Sequence, residues 1–319
     1  LDNGSYSASE IPVATLINLT ELGDGNHSVS VVGRDEAMNW QSESSATTVS
    51  WIVDTMPPIA TISGAPTSTN KATAILTVGG AGVAAYKYKI DSGDYTSETS
   101  VGYPISLIGL PDGSHTVSVI TRDTAGNWQD EASAATVSWM VDTVPPTATI
   151  SGAPASPTTS NSATLTVGGT GVVIYRYKLD NGSYSGNEIP FSTQINLNNL
   201  QDGNHTLSVI GRDTAMNWQS EASATTIAWV VDTQPPTEGT IIINDGVAIT
   251  DSYQVALTLS ASDVTSGMGM MILSNDNVKW TDPIPYATSH AWTLSDGLGL
   301  KTVYVKFSDS AGNWTTNFF

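Results

Sequence analysis

A fixed repeat period, strands patterned with period two and turn residues between them predict an all-β chain. The expected architecture is a tandem array of immunoglobulin-like β-sandwiches in an extended rod. The period comes from a phrase, Val-Asp-Thr-x-Pro-Pro, that begins at Val53, Val141 and Val231. Its aspartates Asp54, Asp142 and Asp232 lie roughly ninety residues apart, which fixes the repeating unit before any local reading does. The heptapeptide Leu-Asp-Asn-Gly-Ser-Tyr-Ser, at Leu1 and again at Leu179, falls in the same register two units apart. The 319 residues then divide into the second half of a repeat at 1–55, whole repeats at 56–143 and 144–233, and a divergent domain at 234–319 that lacks its last strand. Neither terminal piece holds enough strands to close its own core, so the sequence reads as a window on a longer chain.

The unit at 56–143 shows the elements in order. Thr73–Val78 is a strand signal rich in β-branched and apolar residues that stops at Gly79-Gly80. Ala85–Ile90 puts Tyr86, Tyr88 and Ile90 on one face and Lys87 and Lys89 on the other. Asp91-Ser92-Gly93 follows as a turn, matched by Asp180-Asn181-Gly182 one unit later. Ile105–Leu110 is the next strand, Pro111-Asp112-Gly113 its turn, and His115–Arg122 the strand after, with Val117 and Val119 facing one way. Thr136–Val141 closes the unit with Val137, Trp139 and Val141 on a common face. In the following repeat Thr147–Ile150 and Ala163–Val167 are the first two strands; in the last domain Val255–Ser260 and Lys301–Ser308 are strands. No stretch has sustained helical spacing.

Bulk properties exclude several classes of function. There are no cysteines, so no disulfide framework, thiolate metal site or cysteine nucleophile is available. A net charge of −19 argues against nucleic-acid binding, which needs clustered Lys and Arg. It agrees with a soluble surface or with carboxylates that hold divalent cations. No apolar run reaches the ~20 residues of a membrane span.

The phrases Asp-Gly-x-His-Thr-Val-Ser-Val, Arg-Asp-x-Ala-x-Asn-Trp and Val-Asp-Thr-x-Pro-Pro together resemble bacterial Ig-like domain repeats of large secreted surface proteins and adhesins. The Asp-x-Ala-x-Asn phrase occurs at Asp35, Asp123, Asp213 and Asp309, with Met38 and Met216 where the other copies have glycine. The resemblance implies stalk modules, an extracellular or cell-surface location, and in some related arrays Ca²⁺ where successive domains meet.

Sandwich topology sharpens where such an ion would sit. The loops after the second and sixth strands lie at the end where the chain enters; the turn before the sixth strand and the end of the last strand lie where it leaves. Carboxylates and amides from neighbouring units are therefore expected to converge at each boundary. The sets are Asp24, Asp54, Asp123 and Asn127 at the first, Asp112, Asp142, Asp213 and Asn217 at the second, and Asp202, Asp232, Asp309 and Asn313 at the third. The competing reading makes these residues turn caps that bond their own backbone, with Arg34, Arg122 and Arg212 paired to nearby carboxylates.

No catalytic constellation is present, and the chain is not expected to be an enzyme. Asp91-Ser92-Gly93 is a hairpin turn because its counterpart reads Asp-Asn-Gly, and the Ser68-x-x-Lys71 spacing has no partner motif. His27, His115 and His205 share one turn-to-strand position, which points to a shared structural hydrogen bond. Trp51, Trp139 and Trp229 alternate with core valines, whereas Trp280 and Trp292 belong to the last domain alone and are the candidates for stacking on a glycan. The sequence thus reads as a non-enzymatic structural stalk or filament segment, stiffened by Ca²⁺ at its boundaries and able to self-associate into fibres through exposed sheet edges. The alternative is an accessory carbohydrate-binding module of a secreted enzyme.

Overall fold

A computed structural model describes all 319 residues, which form two compact units, Leu1–Thr143 and Val144–Phe319. In the first, β1 (Gly25–Val31) pairs with β2 (Thr47–Val53) as a lone two-stranded sheet. The strands that follow are β3 (Thr61–Ser63), β4 (Ser68–Thr69), β5 (Thr73–Gly79), β6 (Ala85–Ile90), β7 (Thr99–Ser100), β8 (Ile105–Ile108), β9 (Gly113–Arg122) and β10 (Ala135–Val141). They make a sandwich of two sheets, ordered β4-β10-β9-β6-β7 and β3-β5-β8.

The second unit repeats this plan. Its strands β11 (Thr149–Ser151), β12 (Ala163–Gly168), β13 (Ile174–Leu179), β14 (Ile189–Pro190), β15 (Ile195–Leu197), β16 (Gly203–Arg212) and β17 (Thr225–Val231) form the sheets β11-β12-β15 and β14-β13-β16-β17. In the last domain β18 (Thr237–Ile243), β19 (Gln254–Ser262), β20 (Met268–Ser274), β21 (Ile284–Pro285), β22 (Ser289–Thr293) and β23 (Tyr304–Asp309) form the sheets β18-β19-β22 and β21-β20-β23. Paired sheets of this order, antiparallel except where β4 runs parallel to β10, are immunoglobulin-like sandwiches, as the strand spacing predicts. The only helical pieces are single 3₁₀ turns, such as Glu131–Ser133.

Each core is what the period-two pattern delivers. Leu76, Tyr86, Ile105, Val117, Val119, Trp139 and Val141 meet in one cluster, and Leu165, Tyr175, Ile195, Leu207, Val209, Trp229 and Val231 in the next. Tight apposition of the strands requires glycine in the loop after β5. A Cβ on Gly80, whose φ is +134°, would lie 2.1 Å from the Ile59 carbonyl oxygen.

The terminal pieces differ: against the expectation that neither closes a core, the last domain buries Leu257, Met271, Leu273, Val305 and Phe307 together, with Phe319 packed against them. The β1–β2 sheet leaves Val49 exposed, whose counterpart Val137 packs against the core of the next repeat, because no second sheet covers it. In the last domain β23 starts at Tyr304, later than the Lys301 expected from sequence. The reason is pairing. In the intact sandwich residues 113–115 are held as strand by β10 alone, since pairing on the β6 side begins at Thr116, whose carbonyl accepts from Asp91 N. The last domain has just the first rung of that ladder, where Phe319 and Val305 exchange both backbone hydrogen bonds. The counterparts of residues 113–115 in the last domain have no such partner, and β20 ends at Ser274 opposite Tyr304, so the strand begins there.

Candidate metal centre

The Asp-x-Ala-x-Asn loop has one construction in all four copies. In the last, Asp309 Oδ1 accepts from the Gly312 and Asn313 backbone N–H groups, and Oδ2 accepts from Asn313 Nδ2 at 2.7 Å. Asp123 and Asn127, Asp213 and Asn217, and Asp35 and Asn39 repeat the aspartate–asparagine contacts. The fourth loop residue takes a left-handed φ whether it is glycine, as at Gly126 and Gly312, or methionine, with φ 69° at Met38 and 76° at Met216. The side-chain clamp therefore imposes the conformation on a residue that does not favour it.

At the third boundary this loop meets two further elements. The carboxylate oxygens of Asp232, Asp263 and Asp309 all lie within 4.8 Å of one another. Asp232 comes from the end of β17, Asp309 from the end of β23, and Asp263 from the loop after β19. That loop anchors its aspartate: Asp263 Oδ1 accepts from Thr265 N, Ser266 N and Gly267 N at 2.8–3.1 Å. Close approach of β20 to Asp309 depends on Gly269, where a Cβ would sit 2.1 Å from the Asp309 carbonyl oxygen.

The electrostatics of this cluster are unbalanced. Asp232 is wholly buried, its Oδ1 accepts from Gln234 N at 3.1 Å, and its Oδ2 has no partner. The Ser266 hydroxyl is also buried and unpartnered. Burial pushes the Asp232 carboxyl above the usual carboxylate range; the nearby Ser266 hydroxyl and the Gln234 N–H pull against that, and Asp263 and Asp309 push it further up. A buried carboxylate oxygen without a donor costs free energy unless a cation meets it.

The donor set fits a hard divalent cation. Ca²⁺ takes oxygen ligands at about 2.3–2.6 Å in flexible geometry, so oxygens on opposite sides of the ion stand up to about 5 Å apart. Asp263 and Asp309 each have carboxylate oxygens fixed by backbone N–H groups, which orients the carboxylates before an ion arrives. Asp232 Oδ2 and Ser266 Oγ are buried oxygens of the cluster without a well-formed hydrogen bond, and Asp263 Oδ1 is the oxygen its own loop holds.

The remaining residues of the three expected sets are placed as follows. At the third boundary Asp202 accepts from Thr233 N and Oγ1, and Asn313 presents its amide nitrogen to the Asp232 carbonyl, at 2.8 Å. At the first, Asp24 accepts from Thr55 N and Oγ1, Asp54 Oδ1 from Met56 N, and Asn127 Nδ2 donates to the Asp54 carbonyl at 2.9 Å. Asp123 is occupied by its own loop; burial is the largest single influence and pushes its carboxyl up, but Asn127 and the loop N–H groups together outweigh it and hold the carboxyl below the usual range. Asp112 and Asp142 belong to the first compact unit and Asp213 and Asn217 to the second. Within its own unit Asp112 accepts from Thr143 N and Oγ1, and Asp213 from Asn217.

Sequence reasoning missed Asp263 and Ser266. The signal was there: the loop after the second strand reads Gly-Gly-Ala-Gly from Gly79 and Gly-Gly-Thr-Gly from Gly168, but Ser-Asp-Val-Thr-Ser-Gly from Ser262. Only the last domain brings an acid there.

The arginines lie elsewhere. Arg34, Arg122 and Arg212 pair with Glu10, Glu98 and Glu188. Arg122 and Lys87 also cover Trp128, at 5.9 and 4.6 Å, and Arg212 and Arg176 cover Trp218. Lys306 lies 5.4 Å from the Trp280 ring, and Trp292 Nε1 donates to Asn275 Oδ1. Both rings are half-buried.

No protein-family model matches the chain, and no curated protein matches it. Among solved structures it is similar to a four-repeat segment from the extending region of a large adhesion protein, at 18% identity over 95% of this chain and 82% of that one, with a TM-score of 0.32. It is similar to fibronectin(III)-like modules of Clostridium thermocellum CbhA at 16% identity, covering 54% of this chain and 94% of that one, with a TM-score of 0.33. A titin domain array gives 12% identity, 81% and 94% coverage, and a TM-score of 0.35. No helix in the chain is long and apolar enough to cross a membrane.

Proposed function

We propose that the chain is a non-enzymatic structural segment of a bacterial surface or extracellular protein, a spacer of sandwich modules with one Ca²⁺ bound between β17 and the last domain. The sandwiches supply units that resist extension. The Pro-Pro pairs after Thr55, Thr143 and Thr233 restrict the linkers, because proline fixes its own φ and limits the residue before it.

One observation carries the metal reading: the wholly buried, unpartnered Oδ2 of Asp232 beside the Asp263 and Asp309 carboxylates. Asp232 ends one sandwich, while Asp263 and Asp309 belong to the next. An ion shared by the three ties the modules across their linker and offsets the repulsion among the carboxylates. Ca²⁺ suits the site better than Mg²⁺, which needs near-ideal octahedral geometry and keeps several waters.

Calorimetric titration of Ca²⁺ into the full chain tests the reading. The expected result is one saturable event with a dissociation constant of roughly 10⁻⁴–10⁻³ M, as for extracellular modules, lost in Asp263→Asn and retained in Asp24→Asn. Absence of binding at millimolar Ca²⁺, or equal binding by Asp263→Asn, overturns it.

A further inference from the structure

The three repeated histidines make a pair of contacts that a neutral ring cannot make. His115 Nδ1 lies 2.9 Å from Asp91 Oδ2, and its Nε2 lies 2.9 Å from the Pro111 carbonyl oxygen. His205 does the same with Asp180 and the Gln201 carbonyl, at 2.9 and 2.7 Å, and His27 with Asp2 and the Gly23 carbonyl, at 2.8 and 2.7 Å. A carbonyl oxygen only accepts, and so does an ionised carboxylate. Both ring nitrogens must therefore donate, and only imidazolium has two N–H groups.

The last domain supplies an internal comparison. Val119 stands opposite Tyr88, and Val305 opposite Leu273, so Lys301 occupies the position of His115, four residues earlier on the same strand path. Lys301 Nζ donates to the Asp296 carbonyl at 2.8 Å, the same kind of turn contact. Where histidine is absent, a fixed cation takes its place.

We infer that His27, His115 and His205 are imidazolium latches that hold the turn before the sixth strand against the turn after the third, and that deprotonation opens them. The latched turn also anchors the linker. Asp112, next to Pro111, accepts from Thr143 at the end of β10; Asp24 and Asp202 hold Thr55 and Thr233 in the same way. Loss of the proton leaves one ring nitrogen a bare acceptor facing an oxygen, which loosens the turn and, with it, the hold on the linker. The units that carry histidine are pH-sensitive at that end; the unit with Lys301 is not.

The surroundings favour the charged form. At His115 the Pro111 carbonyl and then Asp91 raise the affinity for the proton against burial. At His27 the Gly23 carbonyl and then Asp2 do so. At His205 burial is the largest single influence and opposes charge, but the Gln201 carbonyl and Asp180 together outweigh it. The last strand of each sandwich faces the ring with an uncharged indole, Trp51, Trp139 or Trp229, at 6.0–6.2 Å between centroids. The sign follows: a histidine whose proton affinity is raised on folding contributes stability in full below its unfolded value of about 6.5, and that stability is lost as pH rises through the folded value.

Nitrogen-15 NMR of the full chain with labelled histidine tests the inference, read beside thermal unfolding from pH 6 to 9. Expected are three residues with both ring nitrogens protonated at pH 7 and titration midpoints above the ordinary value, with the His115 midpoint falling in Asp91→Asn. The His27→Lys, His115→Lys, His205→Lys triple variant, built on the Lys301 precedent, is expected to lose the alkaline fall in melting temperature. Singly protonated rings at pH 7, or parallel pH profiles for the triple variant and the parent, overturn it.

Discussion

The side-chain nitrogen of Asn313 donates to the backbone carbonyl of Asp232 at 2.8 Å, so one amide group spans from the loop of the last domain to the end of the preceding strand. Its second hydrogen goes to Asp309 Oδ2 at 2.7 Å. Asn127 makes the same bridge to the Asp54 carbonyl and to Asp123. The asparagine of the repeated phrase is thus a donor clamp on the linker, and its value lies in two N–H groups.

Replacing that donor with its isosteric acceptor exposes the role. Asn313→Ala is expected to cost about 1–3 kcal/mol, two net hydrogen bonds. Asn313→Asp should cost more at pH 7, because a carboxylate then faces both Asp309 and the Asp232 carbonyl. The excess should vanish near pH 3, where the new carboxylate is neutral. Urea unfolding at the two pH values reads the difference.

Asp232→Asn should stabilise the metal-free chain at neutral pH. The Asp232 carboxyl is pushed up by burial and by its two acidic neighbours. Its contribution is therefore favourable below the ordinary carboxylate range and is lost as pH rises through the raised folded value. A neutral amide removes that loss and turns a donor toward Asp263 and Asp309. Melting temperature with chelator is expected to rise, while the gain on adding Ca²⁺ disappears. A lower melting temperature under chelation would count against repulsion at the site.

Gly269→Ala places a Cβ 2.1 Å from the Asp309 carbonyl oxygen, which backbone movement alone can relieve. The expected cost is about 1–3 kcal/mol, as for overpacking, together with weakened Ca²⁺ binding because Asp309 moves. Gly102→Ala, which meets no atom within 4 Å, is the control.

Trp229 is buried, and its Nε1 has no hydrogen-bond partner. Trp229→Ala is expected to cost about 3–5 kcal/mol through the cavity it leaves. Trp229→Phe should cost much less, since it fills most of the volume and removes an indole N–H that is desolvated without compensation. Denaturant midpoints of the two variants give the comparison.

Much of the architecture was legible because its causes are local or repeated. Tyr86 and Val117 belong to strands whose period-two pattern names the buried face directly, and β6 runs over the residues the alternation marks. The start of β23 was not legible, because whether residues 301–303 are strand depends on a neighbour and not on their own side chains. The candidate site was half legible. Asp232 and Asp309 lie in repeated phrases and were found by topology, whereas Asp263 and Ser266 occur once and escaped a reading built on recurrence.

The sequence by itself determined the sandwich class, the repeat register, the core faces and the aspartates that end each unit, since period, alternation and turn chemistry are properties of neighbours along the chain. Tertiary structure decided which of those aspartates meet. Asp24, Asp112 and Asp202 turn to the threonines that begin their linkers. Asp232 is left buried against Asp263 and Asp309, because only folding brings the end of one sandwich within 4.8 Å of two loops of the next. The physical reason is that a carboxylate's role depends on how many donors surround it, and that number is set by packing between elements far apart in sequence.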